Sequence, residues 1–386
     1  MKNERNEYKL GDLVQTNTKS INSEYPFEEI EYLDTGSITR GKIESLQKYK
    51  LSEAPSRAKR LVKQDDIVYS TVRPIQRHYG FIDNPLPNLV VSTGFVTITC
   101  EKDKLYPKFL YYLLSSNDSV EYLDVIAEAS TSAYPSLKPS DIENLDITIP
   151  GLQEQKSIAS ILSSLDDKID LLHRQNATLE KMAETLFRQW FVEEVKNDWE
   201  MGKIEDLFVL QRGFDLPIQN RIQGKYPIYA SSGESGYHNK YKVRGPGVTT
   251  GRSGVLGNVF FIQEDFWPLN TSLFIKEFKK SSVLHSYFVL KTIDLNSFNA
   301  GSAVPTLNRN HVHEFPIEIP PISRIHEFDE IVIPLFKKIK SNQTQIRTLT
   351  ALRDTLLPKL MSGAVSLSNC GEVSLSNCAD IKVEPN

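Results

Sequence analysis

The chain has 386 residues, 40% of them hydrophobic and 24% charged, with a formal net charge of −4. That length holds two or three domains with their own cores, and the composition fits a water-soluble globular chain rather than a disordered or fibrous one. No apolar run approaches the roughly 20 residues of a bilayer span, no signal-peptide core opens the chain, and Cys100, Cys370 and Cys378 make neither a disulfide framework nor a zinc site, so a cytoplasmic location without a membrane partner is expected.

Residues 1–150 read as one β-rich domain. Strand patterns such as "DDIVYSTV" and "LVVSTGFVTITC" are broken by turn signals, and one modest helix is expected over "PKFLYYLLSSNDSVEYL". Residues 151–195 differ in kind. Ile158, Leu162, Leu165, Ile169, Leu172, Asn176, Leu179, Ala183, Leu186 and Trp190 alternate in steps of four and three, which is the a/d seam of a coiled coil. Residues 196–320 return to short strands, "GVTTG", "NVFFI" and "TSLFIKEF", with a helix over "LHSYFVLKTI". Residues 321–363 carry a second seam through Phe328, Val332, Leu335, Ile339, Asn342, Ile346, Leu349, Arg353, Leu356 and Leu360. Pro334 and Pro358 predict a kink there, or a helix that starts near Pro334. Residues 364–386 hold the tandem "VSLSNCGEVSLSNCAD", Ser-rich and expected to be disordered. The fold class is α+β: two β-rich domains separated by two long helices.

The two domains are copies. "STSAYPSLKPSDIENLDITIP" at 130–150 matches "AGSAVPTLNRNHVHEFPIEIP" at 300–320 with an offset of 170, and Lys9–Leu13 resembles Lys203–Leu207 with an offset of 194. The first copy therefore carries about 24 more residues between these anchors, as loop insertions on a shared scaffold would give. If the helices pair antiparallel and centred, Asn176 faces Asn342, and a buried Asn pair fixes register. The alternative is that each asparagine faces water at an imperfect layer.

Enzymatic signals are missing. There is no phosphate loop, and Gly251, Gly254 and Gly257 have the wrong spacing for a dinucleotide fingerprint and suit a tight turn between strands. "DNPLP" at 83–87 lacks the aromatic residue of a methyltransferase loop and reads as a turn. His311 and His313 alternate on an expected strand with no third metal ligand, and Cys100 closes an apolar strand as core. No catalytic or metal residues are assigned.

Charge placement says more. From Ile38 to Gly80 ten Lys and Arg stand against four acids, and from Gln211 to Ile262 seven stand against two, among tyrosines. A basic stretch at the same place in both copies suits phosphate anchoring with base-edge readout, whereas either run alone would suit a solvated surface. The DNA-binding candidates are Arg40, Lys42, Arg73, Gln76, Arg77 and Lys138 in the first copy. In the second they are Arg212, Lys225, Tyr229, Tyr237, Lys240, Arg244, Arg252 and Arg309. Arg73 just past "DIVYST" and Arg252 just past "GVTTG" stand at comparable strand ends. The helix-pairing candidates are Leu165, Ile169, Leu172, Asn176 and Leu179 with Leu335, Ile339, Asn342, Ile346 and Leu349.

From Lys9 to Gly363 the sequence resembles the specificity (S) subunits of type I restriction–modification enzymes. The resemblance rests on "YPSLKPSDIENLDITIPGLQEQKSIASILSSLDDKIDLLHRQNATLEKMAETLFRQWF" at 134–191 and on the closing "TLLPKLMSG" at 355–363. It implies two target-recognition domains, each followed by a long helix, the helices pairing antiparallel as a spacer. Each domain would read one half of a split double-stranded DNA target. It further implies two methyltransferase (M) subunits and motor-nuclease (R) subunits as partners, and no catalysis or bound cofactor on this chain. S-adenosylmethionine, ATP and Mg are expected on the partner subunits. Lys168, Arg174, Lys181 and Arg188, off the seam, would form an M-docking face, or else a solvated one. One departure is Ser323-Arg324-Ile325 where the first copy has Gln153-Glu154-Gln155. Thirty-three helical residues make a rod of about 50 Å, longer than a DNA turn of about 34 Å.

Overall fold

The apolar runs of each copy become the central strands of a four-stranded antiparallel sheet. In the first copy the spatial order is Val14–Thr16, Phe95–Cys100, Ile67–Ser70, Tyr79–Phe81. In the second it is Phe208–Arg212, Ser272–Phe278, Gly247–Gly251, Val259–Ile262. Each copy also closes on a two-stranded ribbon, Asn6–Lys9 with Asp146–Ile149 and Glu200–Lys203 with Pro316–Ile319. The second strand of each ribbon lies in the repeated passages of the sequence and the first ends at the repeated Lys9 or Lys203, so the repeat marks the shared frame. The copies diverge beside it. The first adds a mixed four-stranded sheet, ordered Gln47–Lys50, Glu29–Leu33, Leu89–Ser92, Ala58–Leu61. The second adds a three-stranded one, Gly233–His238, Tyr226–Ala230, Trp267–Pro268. The structure is a computed structural model and describes residues 5–130, 135–195, 199–301 and 303–365. The fold is α+β.

The chain divides into two units, one taking in the chain up to Ile169 and again from Thr348, the other Asp170–Arg347. In the first unit Leu10, Ile67, Val96, Phe109 and Leu110 share a core with Ile158 and Leu162 of the first long helix and with Leu360. In the second, Leu207, Phe208, Val248, Phe288 and Leu290 pack with Ala183 and Phe187, and with Phe328, Val332 and Phe336. Cys100 is buried in the first core, which pushes its thiol up to about 12.

The two long helices span Leu152–Arg188 and Ile322–Ser362. The second runs unbroken through Pro334 and Pro358, so it neither starts near Pro334 nor stops at it. Val332 and Phe336, buried on either side of Pro334, hold that turn by packing, which outweighs one missing N–H donor. Pro320 and Pro321 mark the start instead. Of the seam residues, Leu165, Leu172, Ile339 and Asn342 are buried; Ile169, Asn176, Leu179, Leu335, Ile346 and Leu349 are half-buried. In the second unit Asn342 Nδ2 donates to Asn176 Oδ1 at 2.9 Å. In the first, Arg353 Nη1 donates to Asp166 Oδ1 at 2.8 Å, and Tyr112 Oη donates to Asp166 Oδ2 at 2.8 Å. In the second unit the partners descend on one helix as they ascend on the other, Asn176 with Asn342, Phe187 with Phe328 and Trp190 with Arg324, so the helices run antiparallel there.

Two local expectations need correction. The helix expected over "PKFLYYLLSSNDSVEYL" is two, Pro107–Ser115 and Asn117–Glu128, because Ser116 adopts an extended conformation and its hydroxyl caps the second by accepting the Ser119 N–H. His311 and His313 lie on a short helix, Arg309–His313, started by the Asn308 cap, not on a strand. His313 is buried and its Nε2 accepts the Leu210 N–H, so it ties that helix to the sheet. At the departure noted above, Gln155 is buried and bonds the Tyr106 N–H and the Lys104 and Pro150 carbonyls, while its counterpart Ile325 is buried without a polar atom. The Ser-rich repeat falls outside the described residues. Among the described residues no helix is long and apolar enough to cross a membrane.

Candidate nucleic-acid interface

In the first copy the hairpin between Ile67–Ser70 and Tyr79–Phe81 turns through residues 71–77, the segment "TVRPIQR". Arg73 and Arg77 both sit in left-handed backbone, at φ 46° and 59°, on either side of the 3-10 turn Pro74–Gln76. A β-carbon disfavours that conformation by about 1–2 kcal/mol per residue, so it persists only where the surroundings impose it. They do: the Ile75 N–H donates to Asp124 Oδ1 at 3.0 Å, and the Arg77 guanidinium donates to Asn117 Oδ1 at 2.9 Å. Arg40 joins the loop, its N–H donating to the Arg77 carbonyl at 2.8 Å. Arg40 and Gly41, at φ 50° and 82°, form the tip of the hairpin that pairs Thr39 with Lys42. Only glycine fits the second place, since a Cβ there would lie 2.3 Å from the Tyr111 hydroxyl.

Arg40, Lys42, Arg73, Gln76 and Arg77 are thus gathered around one loop, all exposed except the half-buried Arg77. Lys138 follows the bridge between Val72 and Ser136 and is exposed at the start of the helix Pro139–Glu143. The Arg73 guanidinium and the Gln76 amide have no protein partner among the described residues, and so remain available to a ligand.

The second copy splits its candidates between two places. At the end of Gly247–Gly251, Arg252 Nε donates to the Asn270 carbonyl at 2.8 Å. The Asn270 side chain in turn bonds Asp215, which lies 3.7 Å from Arg212. Burial and the nearby Arg212 guanidinium both push Arg252 below its usual pKa. Arg212 and Arg252 thus stand at the two ends of the Asp215–Asn270 link, where a polyanion would meet both cations. Arg309 lies just past Leu307, whose N–H donates to the Arg252 carbonyl at 2.8 Å. Elsewhere, Lys225 sits 5.2 Å over the Tyr226 ring, which packs 4.9 Å from Tyr241, and Lys240 and Arg244 are exposed nearby in sequence. Tyr229 packs against Phe260 and Phe266 and contributes to the core more than to the surface. Tyr237 is half-buried opposite Pro227, its phenol pushed up by burial and by Glu234.

The loops correspond residue by residue, though not as the sequence suggests. Val72 bridges Ser136 as Ser253 bridges Thr306, and the Arg73 N–H reaches the Pro135 carbonyl as the Gly254 N–H reaches that of Pro305. Arg73 therefore matches Gly254, and Arg252 matches Thr71; they are not equivalent positions. Asp124 and Asn117 in the first copy, and Asp215 and Asn270 in the second, were invisible to sequence reasoning, since they meet the loops only through the fold. On the long helix, Arg174, Lys181 and Arg188 pair with Asp170, Glu184 and Glu193, as a solvated helix face does.

The family model for the type I restriction modification DNA specificity domain matches residues 3–181 and 196–351. The chain is similar to the type I restriction enzyme HindI specificity subunit of Haemophilus influenzae, 33% identical over 222 residues, which is 57% of this chain and 48% of that protein. It is also similar to the MjaIX specificity subunit of Methanocaldococcus jannaschii, 27% identical over 348 residues, 79% of this chain and 78% of the other. The match thus spans about half the length of the first relative and more than three quarters of the second. Among solved structures, the type I restriction–modification S subunit from M. genitalium shares the fold with a TM-score of 0.62 at 17% identity, covering 93% of this chain and 96% of that one.

Proposed function

The chain belongs to the type I restriction–modification DNA specificity family, and from that membership we propose that each of its copies reads one half of a split double-stranded DNA target. The observation that carries this reading is the duplicated hairpin loop. Both copies hold it on the same backbone frame, both surround it with cations, and they differ in nearly every side chain that could face a base. A shared frame with divergent tips suits two half-sites of different sequence.

The chain itself performs no chemistry in this reading. Two methyltransferase subunits dock on it and motor-nuclease subunits complete the restriction complex, with S-adenosylmethionine, ATP and Mg bound by those partners in the cytoplasm. The long helices set the gap between half-sites. The test is modular exchange. Residues 14–132 are replaced by the matching segment of another family member, and the methylated motif is mapped by long-read sequencing. One half of the motif should change and the other persist; a swap that rewrites both halves, or neither, removes the independent-reader reading. Complexes lacking sequence-specific, salt-sensitive DNA binding would point instead to a coiled-coil adaptor with a merely basic surface.

A further inference from the structure

Between the two bends of each hairpin loop lies one exposed aliphatic side chain. Counted from the ends of the hairpins, residues 71–77 align with 252–257, and Pro74 is the single extra residue. Positive φ then falls at matching places: Arg73 with Gly254, at 46° and 92°, and Arg77 with Gly257, at 59° and 85°. Of the residues between the bends, Pro74, Ile75 and Gln76 in one copy and Val255 and Leu256 in the other, the exposed aliphatic ones are Ile75 and Val255, with 50% and 44% of their surface exposed.

A lone exposed aliphatic residue is ordinary. Three observations make this pair unusual. The flanking sequences, "RPIQR" and "GVLG", share almost nothing, yet each copy puts a β-branched residue at this place. The first loop is fixed from beneath by Asp124 accepting the Ile75 N–H, so its tip is presented rather than free to fold away. Both tips stand beside the cations described above, with about half of each apolar side chain left to solvent.

We propose, resting on the DNA-reading function above, that Ile75 and Val255 are specificity-determining residues, each packing on the C5-methyl group of a thymine in its own half-site. That methyl is the apolar group on the base edges of the major groove, where Arg and Gln side chains such as Arg73 and Gln76 find bidentate partners. Short, β-branched side chains are stiff and suit a surface contact with a methyl better than insertion between stacked bases.

The probe is the mapped target duplex with each thymine replaced in turn by deoxyuridine, which removes the methyl and leaves base pairing unchanged. Binding is measured with the full chain purified in complex with its methyltransferase partner. One replacement in each half should weaken binding about fourfold, the worth of one buried methyl. Ile75→Ala should abolish that sensitivity in the first half alone, and Val255→Ala in the second alone. Both side chains are half exposed, so these variants keep their cores. The inference is overturned if no deoxyuridine weakens binding, if either half lacks an A·T pair, or if the alanine variants keep the wild-type sensitivity. Base unstacking seen by 2-aminopurine fluorescence without any dependence on the methyl would replace it with an inserted wedge. Specific, salt-sensitive binding to the unmodified target with no methyl effect sinks this inference only; no specific binding at all sinks the DNA-reading function beneath it.

Discussion

Asn342 is fully buried between the helices of its unit, and replacing it with leucine should stabilise that unit while loosening its register. Its amide nitrogen donates to Asn176 at 2.9 Å and, more weakly, to Gln175 at 3.4 Å, while its Oδ1 has no protein partner among the described residues. An unmet buried acceptor costs about 1–3 kcal/mol, and the bond that Asn342→Leu removes contributes about 1 kcal/mol. Asn176 is half-buried, so its released amide turns to water. A buried leucine adds about 1.5–3 kcal/mol of apolar transfer, and crowding of a larger side chain takes back about 1–3 kcal/mol. The expected net gain is about 1–2 kcal/mol in this helix pair. Hydrogen exchange across residues 322–347, alongside urea unfolding, isolates this unit in a chain that need not unfold in one step. Cysteine pairs placed for the native register and for one a heptad away report the second effect, and the shifted pair should crosslink only in the variant. A loss of more than about 1 kcal/mol, or no shifted crosslink, would refute the argument.

Arg353→Met should cost the first unit about 1–3 kcal/mol in urea unfolding, because it leaves the Asp166 carboxylate with only the Tyr112 hydroxyl, and Tyr112→Phe should cost about 1 kcal/mol. A double variant whose cost equals the sum of the two would show that the three groups do not act together. His285 is buried beside Phe187 and Phe191, with the Ser281 hydroxyl on its Nδ1, and burial pushes its pKa down to about 3. The unfolded chain takes this proton below about pH 6.5 and the folded one only near 3. Stability from this group is therefore complete above about pH 6.5 and falls with pH below it, by up to about 1.4 kcal/mol per unit, and His285→Gln should flatten that slope between pH 6 and about pH 4. Arg252→Ala should weaken target binding by about 1–3 kcal/mol if the side chain meets a base, and unchanged affinity would remove it from the interface.

The sequence by itself determined what repetition and period can encode. The repeated passages, at offsets of 170 and 194, revealed two copies of one frame, and the a/d spacing placed both long helices and brought Asn176 and Asn342 to facing layers. Local chemistry also marked the hairpin strands, since "DIVYS" and "GVTTG" set β-branched residues between turn residues. Tertiary structure decided everything that depends on partners distant in the chain. Pro334 passes inside a helix because Val332 and Phe336 anchor it. His313 leaves its expected strand because the Asn308 cap starts a helix and the imidazole Nε2 accepts the Leu210 N–H. The loops align Arg73 with Gly254 rather than with Arg252 because their backbones are clamped by residues 135–137 and 305–307, more than 50 positions away. Periodicity is a property of neighbouring residues and survives in a linear reading. The direction in which a loop presents its side chains is set by hydrogen bonds to remote segments, and only the folded chain brings those together.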